Sequence, residues 1–155
     1  EDPNEADIII MAASLSSKNH ITYHAVFNAL KQNPHIHVIC INPDHYIAYK
    51  QRYVPVMGYY AHQMEYQLGH SFEWVGKPFP VFSNIVKTVL QRHGHNPEQL
   101  LFCDDNPWNV HQIVKDLKCQ GCIVTKTGMF SRYNKGFFNA ISSPQNMVLQ
   151  AQCAL

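Results

Sequence analysis

Residues 102–110, Phe-Cys-Asp-Asp-Asn-Pro-Trp-Asn-Val, set two adjacent carboxylates, Asp104 and Asp105, directly after an apolar run. Paired acids at the tip of a buried strand suit a hard cation. Mg²⁺ takes oxygen ligands and is commonly held by one or two carboxylates plus a substrate phosphate. Lys77, in Val-Gly-Lys-Pro after a separate apolar stretch, can neutralise a phosphate as a compact point charge. A plainer reading competes. Asp105 or Asn106 ahead of Pro107 is a plausible helix N-cap with proline at the first helical position. On these residues alone the cap and the metal readings stand about even.

The elements that must position these side chains follow from periodicity. Residues 6–12 and 37–42 are apolar, β-branched runs and read as buried strands, with a helix over 21–33 between them that Pro34 stops. Strand, helix, strand in so short a span predicts a parallel pair with a crossover. Residues 44–56, polar and tyrosine-rich with Pro55, read as a loop, and 57–68 as a helix closed by Gly69. A short strand over 72–75 leads into Gly76-Lys77-Pro78. A helix marked by Val81, Ile85, Val89 and Leu90 follows, with Pro80 in its first turn and Gly94 near its end. Then come a strand at 100–103, a helix through 108–118 and a strand at 122–125. The tail from Ser142 reads as weakly structured or a short helix. Alternating β and α predict an α/β fold on a parallel sheet, whose ligands bind outside the carboxyl ends of the strands.

Composition bounds the function. The chain has 155 residues, 46% apolar and 15% charged, which fits one ordinary folded domain. A net charge of +1 without a Lys/Arg cluster gives no footprint for nucleic acid. No apolar stretch approaches the ~20 residues a membrane span needs. The acidic N-terminus does not resemble a secretory signal. Five cysteines, an odd number in strand-like or tail positions, point to reduced thiols and a cytoplasmic setting. Cys119 and Cys122 form a Cys-x-x-Cys with no second pair to complete a zinc site, so packing is the favoured reading. The histidines, His20, His24, His35 and His37 among them, lack a one-face spacing with acids.

Three signatures occur in a fixed order: Ile-Asn-Pro-Asp at 41–44, Val-Gly-Lys-Pro at 75–78, and the segment 102–110 followed by Lys-Cys-Gln-Gly-Cys-Ile-Val-Thr-Lys-Thr-Gly at 118–128. Together they resemble the haloacid-dehalogenase superfamily of phosphohydrolases. Within it they resemble the class IIA branch, whose cap is inserted between the second and third core motifs. Phosphoglycolate, pyridoxal, nucleotide and sugar-phosphate phosphatases belong to that branch. The likeness runs from about Ala6 to Gly128. It implies that Asp104 is the metal-binding acid of the fourth motif, usually Gly-Asp-Ser-x-x-Thr-Asp, with Cys103 in place of the glycine. It implies that Asp105 supports the metal or its waters, and that Asn109 stands where a second acid is usual. Lys77 matches the third-motif lysine. Asn42 and Asp44 match the Asn-Pro-Asp that returns the chain from cap to core and faces substrate, with Met57-Gly58 lining the loop beneath.

The resemblance further implies a Rossmann-like core with the end of an α/β cap: residues 1–45 the C-terminal part of the cap, 46–155 the C-terminal part of the core. Phosphatases of this superfamily use a nucleophilic Asp in an Asp-x-Asp pattern, forming an aspartyl phosphate that splits one displacement into two. This sequence contains no Asp-x-Asp and no phosphate-binding second motif, and its first residue is Glu. An upstream segment carrying the nucleophile is therefore expected, in the same polypeptide or in a separate chain. The implied function is part of a Mg²⁺-dependent phosphohydrolase of small phosphorylated metabolites, with a homodimer as a further possible partner. The alternative is a catalytically inactive binding or scaffold domain, favoured by Cys103, Asn109 and the missing first motif. A metal-binding regulatory module using the histidines is a third.

Overall fold

Apolar runs flanked by polar breaks form the first two strands of the first sheet. The computed structural model describes residues 2–12, 19–49, 52–125, 128 and 147–150. Strand β1 (Ile8–Met11) pairs in parallel with β2 (His37–Cys40), and β2 in parallel with β5 (Glu73–Trp74). Helix α1 (Asn19–Gln32) makes the crossover between β1 and β2. Helix α2 (Met57–Leu68) precedes β5 and ends at Gly69 in the left-handed conformation. The chain divides into two compact units, Glu1–Gly76 and Lys77–Leu155.

In the first unit, one face of the sheet carries the core. Met11, Val38 and Cys40 meet Val26, Ala29 and Leu30 of α1, Ala61 and Met64 of α2, and Phe72. Leu30 and Met64 are fully buried, each contributing about 1.5–3 kcal/mol from apolar burial. Because side chains alternate along a strand, the intervening Ile8 and Ile10 face the other way and are 56% and 62% exposed. On that same face His37 Nε2 lies 2.9 Å from Glu73 Oε2. Residues 44–56 depart from the expected loop. They contain a hairpin of β3 (Tyr46–Tyr49) and β4 (Arg52–Pro55), antiparallel with Tyr46 opposite Pro55.

In the second unit, β6 (Leu101–Asp104), β7 (Gln120–Val124) and β8 (Met147–Gln150) form a parallel sheet in that spatial order. Helix α3 (Pro80–Arg92) begins with Pro80 at its first turn, and α4 (Pro107–Leu117) connects β6 to β7. Ile113 and Leu117 of α4 and Cys119 form a core against Phe82, Val86, Leu100, Phe102 and Val114. The α3–α4 contact is tied by Ser83, 2% exposed, whose Oγ donates to Asp116 Oδ2 at 3.2 Å. β8 lies within the tail that the sequence reads as weakly structured or helical. Its hydrogen bonds go to β7, a long-range pairing with no local sequence signal. Residues 142–146 and 151–155 of that tail lie outside the described residues.

Candidate active site

Asp104 is the last residue of β6, at the carboxyl end of a parallel strand, where α/β sheets bind ligands. Its side chain is 4% exposed. Both carboxylate oxygens are engaged. Lys77 Nζ donates to Oδ2 in a charge-assisted bond, and the Asn106 backbone N–H donates to Oδ1 at 2.8 Å. Lys77 is 27 residues away in sequence, so folding of the second unit is what joins the two signatures. The Lys77–Pro78 peptide is cis. A buried carboxylate is tolerated only when paired and hydrogen-bonded, and Asp104 has both kinds of partner.

The cap reading of the double acid resolves onto the next residue. Asn106 is the N-cap of α4: its Oδ1 accepts from the Trp108 N–H at 3.1 Å, with Pro107 at the first helical position. The cap position is thus filled by Asn106. The Asp105 side chain packs on Gly128. Gly128 has φ +85°, and a Cβ built there would land inside the Asp105 carboxylate. Asn109, in the first turn of α4, is 2% exposed. Asp104, Asp105 and Asn109 offer oxygen donors on one strand end and the helix that follows it. This donor chemistry fits Mg²⁺, which needs one or two carboxylates and completes its shell with waters and phosphate. Among the described residues no group of three or more His, Cys, Asp or Glu comes together.

Asn42 and Asp44 belong to the first unit. Asn42 Oδ1 accepts from the Asp44 N–H at 3.3 Å, closing a local turn. Two glycines brace the loop. A Cβ on Gly58 would collide with the Pro43 and Asp44 carbonyls, and one on Gly76 with the Pro43 ring and the Ile41 carbonyl. Bracing by Gly76 and packing of Gly128 on Asp105 are features the sequence reading did not assign. Each glycine lies within a quoted signature, which was the available signal.

The Cys-x-x-Cys divides between the two faces of the second sheet. Cys119 sits in the core against α4, and burial raises its thiol pKa. Cys122 pairs in register with Cys103 on β6, on the other face. Side chains on opposite faces cannot share a metal, so the motif is not half of a zinc site.

The chain has the fold of class IIA haloacid-dehalogenase phosphatases. The p-nitrophenyl phosphatase from Archaeoglobus fulgidus superposes with a TM-score of 0.71 at 18% identity, over 96% of this chain and 55% of that one. The 4-nitrophenylphosphatase from Thermotoga maritima gives 0.71 at 15% identity, over 97% and 54%. NagD from E. coli K-12 gives 0.63 at 16% identity, over 95% and 54%. The chain spans about half the length of these structures. No protein-family profile matches the sequence, and no curated protein sequence matches it. Among the described residues no helix is long and apolar enough to cross a membrane.

Proposed function

We propose that this chain is the lysine-and-metal part of a Mg²⁺-dependent phosphomonoesterase acting on small phosphorylated metabolites in the cytoplasm. The observation that carries the reading is the Lys77–Asp104 pair at the carboxyl end of β6, in a fold shared with p-nitrophenyl phosphatases. Asp104 and Asp105, with Asn109, would hold Mg²⁺, which when bound neutralises charge on the phosphate. Lys77 would stabilise an aspartyl phosphate formed on an Asp outside this sequence. The free edge of β6, which has no neighbouring strand on that side among the described residues, offers a place for a strand bearing that Asp. Asn42 and Asp44 would face substrate. Free thiols at Cys40, Cys103 and Cys119 fit a reducing compartment.

A second reading, a non-catalytic scaffold, draws on Cys103 and Asn109 standing where the resemblance expects glycine and an acid. One experiment separates the two. The protein is isolated from its native source, and intact mass is measured on the preparation assayed for p-nitrophenyl phosphate hydrolysis with and without Mg²⁺. The phosphatase reading expects a mass above 17.8 kDa, or a co-purifying chain, together with Mg²⁺-dependent hydrolysis. A mass of 17.8 kDa with no second chain and no hydrolysis overturns it and leaves the scaffold.

A further inference from the structure

The Ile-Asn-Pro-Asp and Val-Gly-Lys-Pro signatures leave the first sheet side by side. β2 and β5 run parallel, with Cys40 opposite Trp74, and the pairing continues where the Val75 N–H donates to the Cys40 carbonyl at 3.0 Å. Parallel neighbours leave a sheet at the same end. β2 therefore runs out into Asn42-Pro43-Asp44 beside the Val75-Gly76 stretch that leads from β5 into Lys77.

Pro43 is wedged where these two exits meet. A Cβ on Gly76 would fall on Cδ and Cγ of the Pro43 ring, so the ring stands where a side chain would otherwise be. A Cβ on Gly58, in the first turn of α2, would fall on the carbonyls of Pro43 and Asp44. Proline also fixes its own φ at about −65°, so the ring cannot swing aside while its backbone stays in place. Within the loop the Asp44 N–H donates to Asn42 Oδ1 at 3.3 Å, which ties the two residues that flank Pro43. All of these contacts lie inside the first unit. They leave no room for a side chain, so they do not depend on what else covers the sheet.

We propose that Pro43 is a positioning residue: its ring, packed on Gly76, sets the direction in which the chain enters Lys77. From Gly76 onward the path is covalent. Consecutive Cα atoms are held about 3.8 Å apart, so a shift of Gly76 turns the root of the lysine whose Nζ holds Asp104. Close-packed groups transmit a displacement rather than absorb it. A ligand that moves Asn42 or Asp44 therefore moves the lysine, and recognition of the body of a substrate is passed to the group that meets its phosphate. This catalytic half rests on the phosphatase reading above; the bracing of Lys77 does not.

The test takes the protein at its native length and reads Lys77 in two ways. The first is the NMR resonance of the Lys77 side-chain Nζ. Pro43→Ala, which removes Cγ and Cδ of the ring, should shift or broaden it. Pro97→Ala, at the start of the 3₁₀ turn Pro97–Gln99, should leave it in place. The second is p-nitrophenyl phosphate hydrolysis with Mg²⁺. Misplacing a reacting group costs up to about 100-fold, so Pro43→Ala should lower kcat by about 10–100-fold per folded molecule, with KM nearly unchanged. A proline that serves stability alone would lower the folded fraction and leave both the resonance and kcat per folded molecule as they were. Should Pro43→Ala fail to fold, Pro43→Val, which refills part of the Cγ volume, is judged by the same two readouts. A Lys77 resonance left in place overturns the proposal, as does an unchanged kcat in an active enzyme. If the resonance moves while the wild-type protein hydrolyses nothing, the bracing stands and the phosphatase reading fails.

Discussion

Replacing Lys77 with methionine keeps the length of the side chain and removes its charge. Asp104, 4% exposed at the side chain, then keeps one polar donor, the Asn106 N–H. Breaking a buried pair by deleting one partner costs about 3–5 kcal/mol when both charges are enclosed. Lys77 is 35% exposed, so water screens its side of the pair, and the expected loss falls to about 2–3 kcal/mol. Urea unfolding followed by the fluorescence of Trp108, in a Trp74→Phe background, reads the second unit where Trp108 lies in the first turn of α4. Asp104→Asn removes the acid without leaving a buried charge. The double variant should therefore be less destabilised than the two single losses summed, with a coupling of about 1–2 kcal/mol. A coupling below about 0.5 kcal/mol, the ordinary limit of additivity, would refute the argument. Lys77–Asp104 would then be an ordinary surface ion pair, with no special claim to organise the site.

Three other outcomes follow from the same geometry. Gly128→Ala places a Cβ in the Asp105 carboxylate at a φ of +85°. It should destabilise the second unit by about 1–3 kcal/mol and weaken Mg²⁺ binding in calorimetry, with Asp105→Ala in the same chain recovering part of the stability. Burial pushes the Cys40 thiol up from 9.0 to about 11, so the fold favours the neutral thiol. That contribution is complete below about pH 9 and is lost as pH rises toward about 11, a swing of about 3 kcal/mol. The difference between wild type and Cys40→Ala in urea midpoint should therefore shrink across that interval, and a constant difference would contradict it. Glu65 accepts from the Phe72 N–H at 2.7 Å and from Trp74 Nε1 at 3.3 Å. Glu65→Ala should cost about 1.5–3 kcal/mol and shift Trp74 emission, whereas Glu65→Gln should keep most of both.

The parallel pairing of β1 with β2 was legible because Ile8–Ile10 and Val38–Ile39 are unbroken apolar stretches separated by one helix and a proline. Helix α2 was legible to the residue, since Gly69 closes it. The hairpin was not. Tyr46, Ala48 and Tyr53 lie on one of its faces and Ile47, Tyr49 and Val54 on the other, so neither face is cleanly polar and alternation disappears. Pro55, which argued against a strand, sits at the strand's end opposite Tyr46, where the ladder tolerates it. At the site, sequence paired the acids with a lysine only through the order of signatures, and the Lys77–Asp104 bond needed the fold of the second unit. The choice of Asn106 over Asp105 as the cap was decided by direction: Asn106 reaches the Trp108 N–H while Asp105 turns to Gly128. Two residues equally competent by type cannot be told apart by spacing.

The bracing of the Asn42–Asp44 loop by Gly58 and Gly76 bears on how tolerance to substitution is read in this chain. A saturation screen would score both positions as forbidding, for even alanine must move backbone carbonyls or the Pro43 ring to fit. Neither glycine can bind a ligand or transfer a proton through a side chain. Sites ranked by intolerance alone would thus set two silent positions beside Lys77 and Asp104. Screening at two temperatures would sort them, because a lack of room is relieved by growth conditions that favour folding, and a missing charge is not.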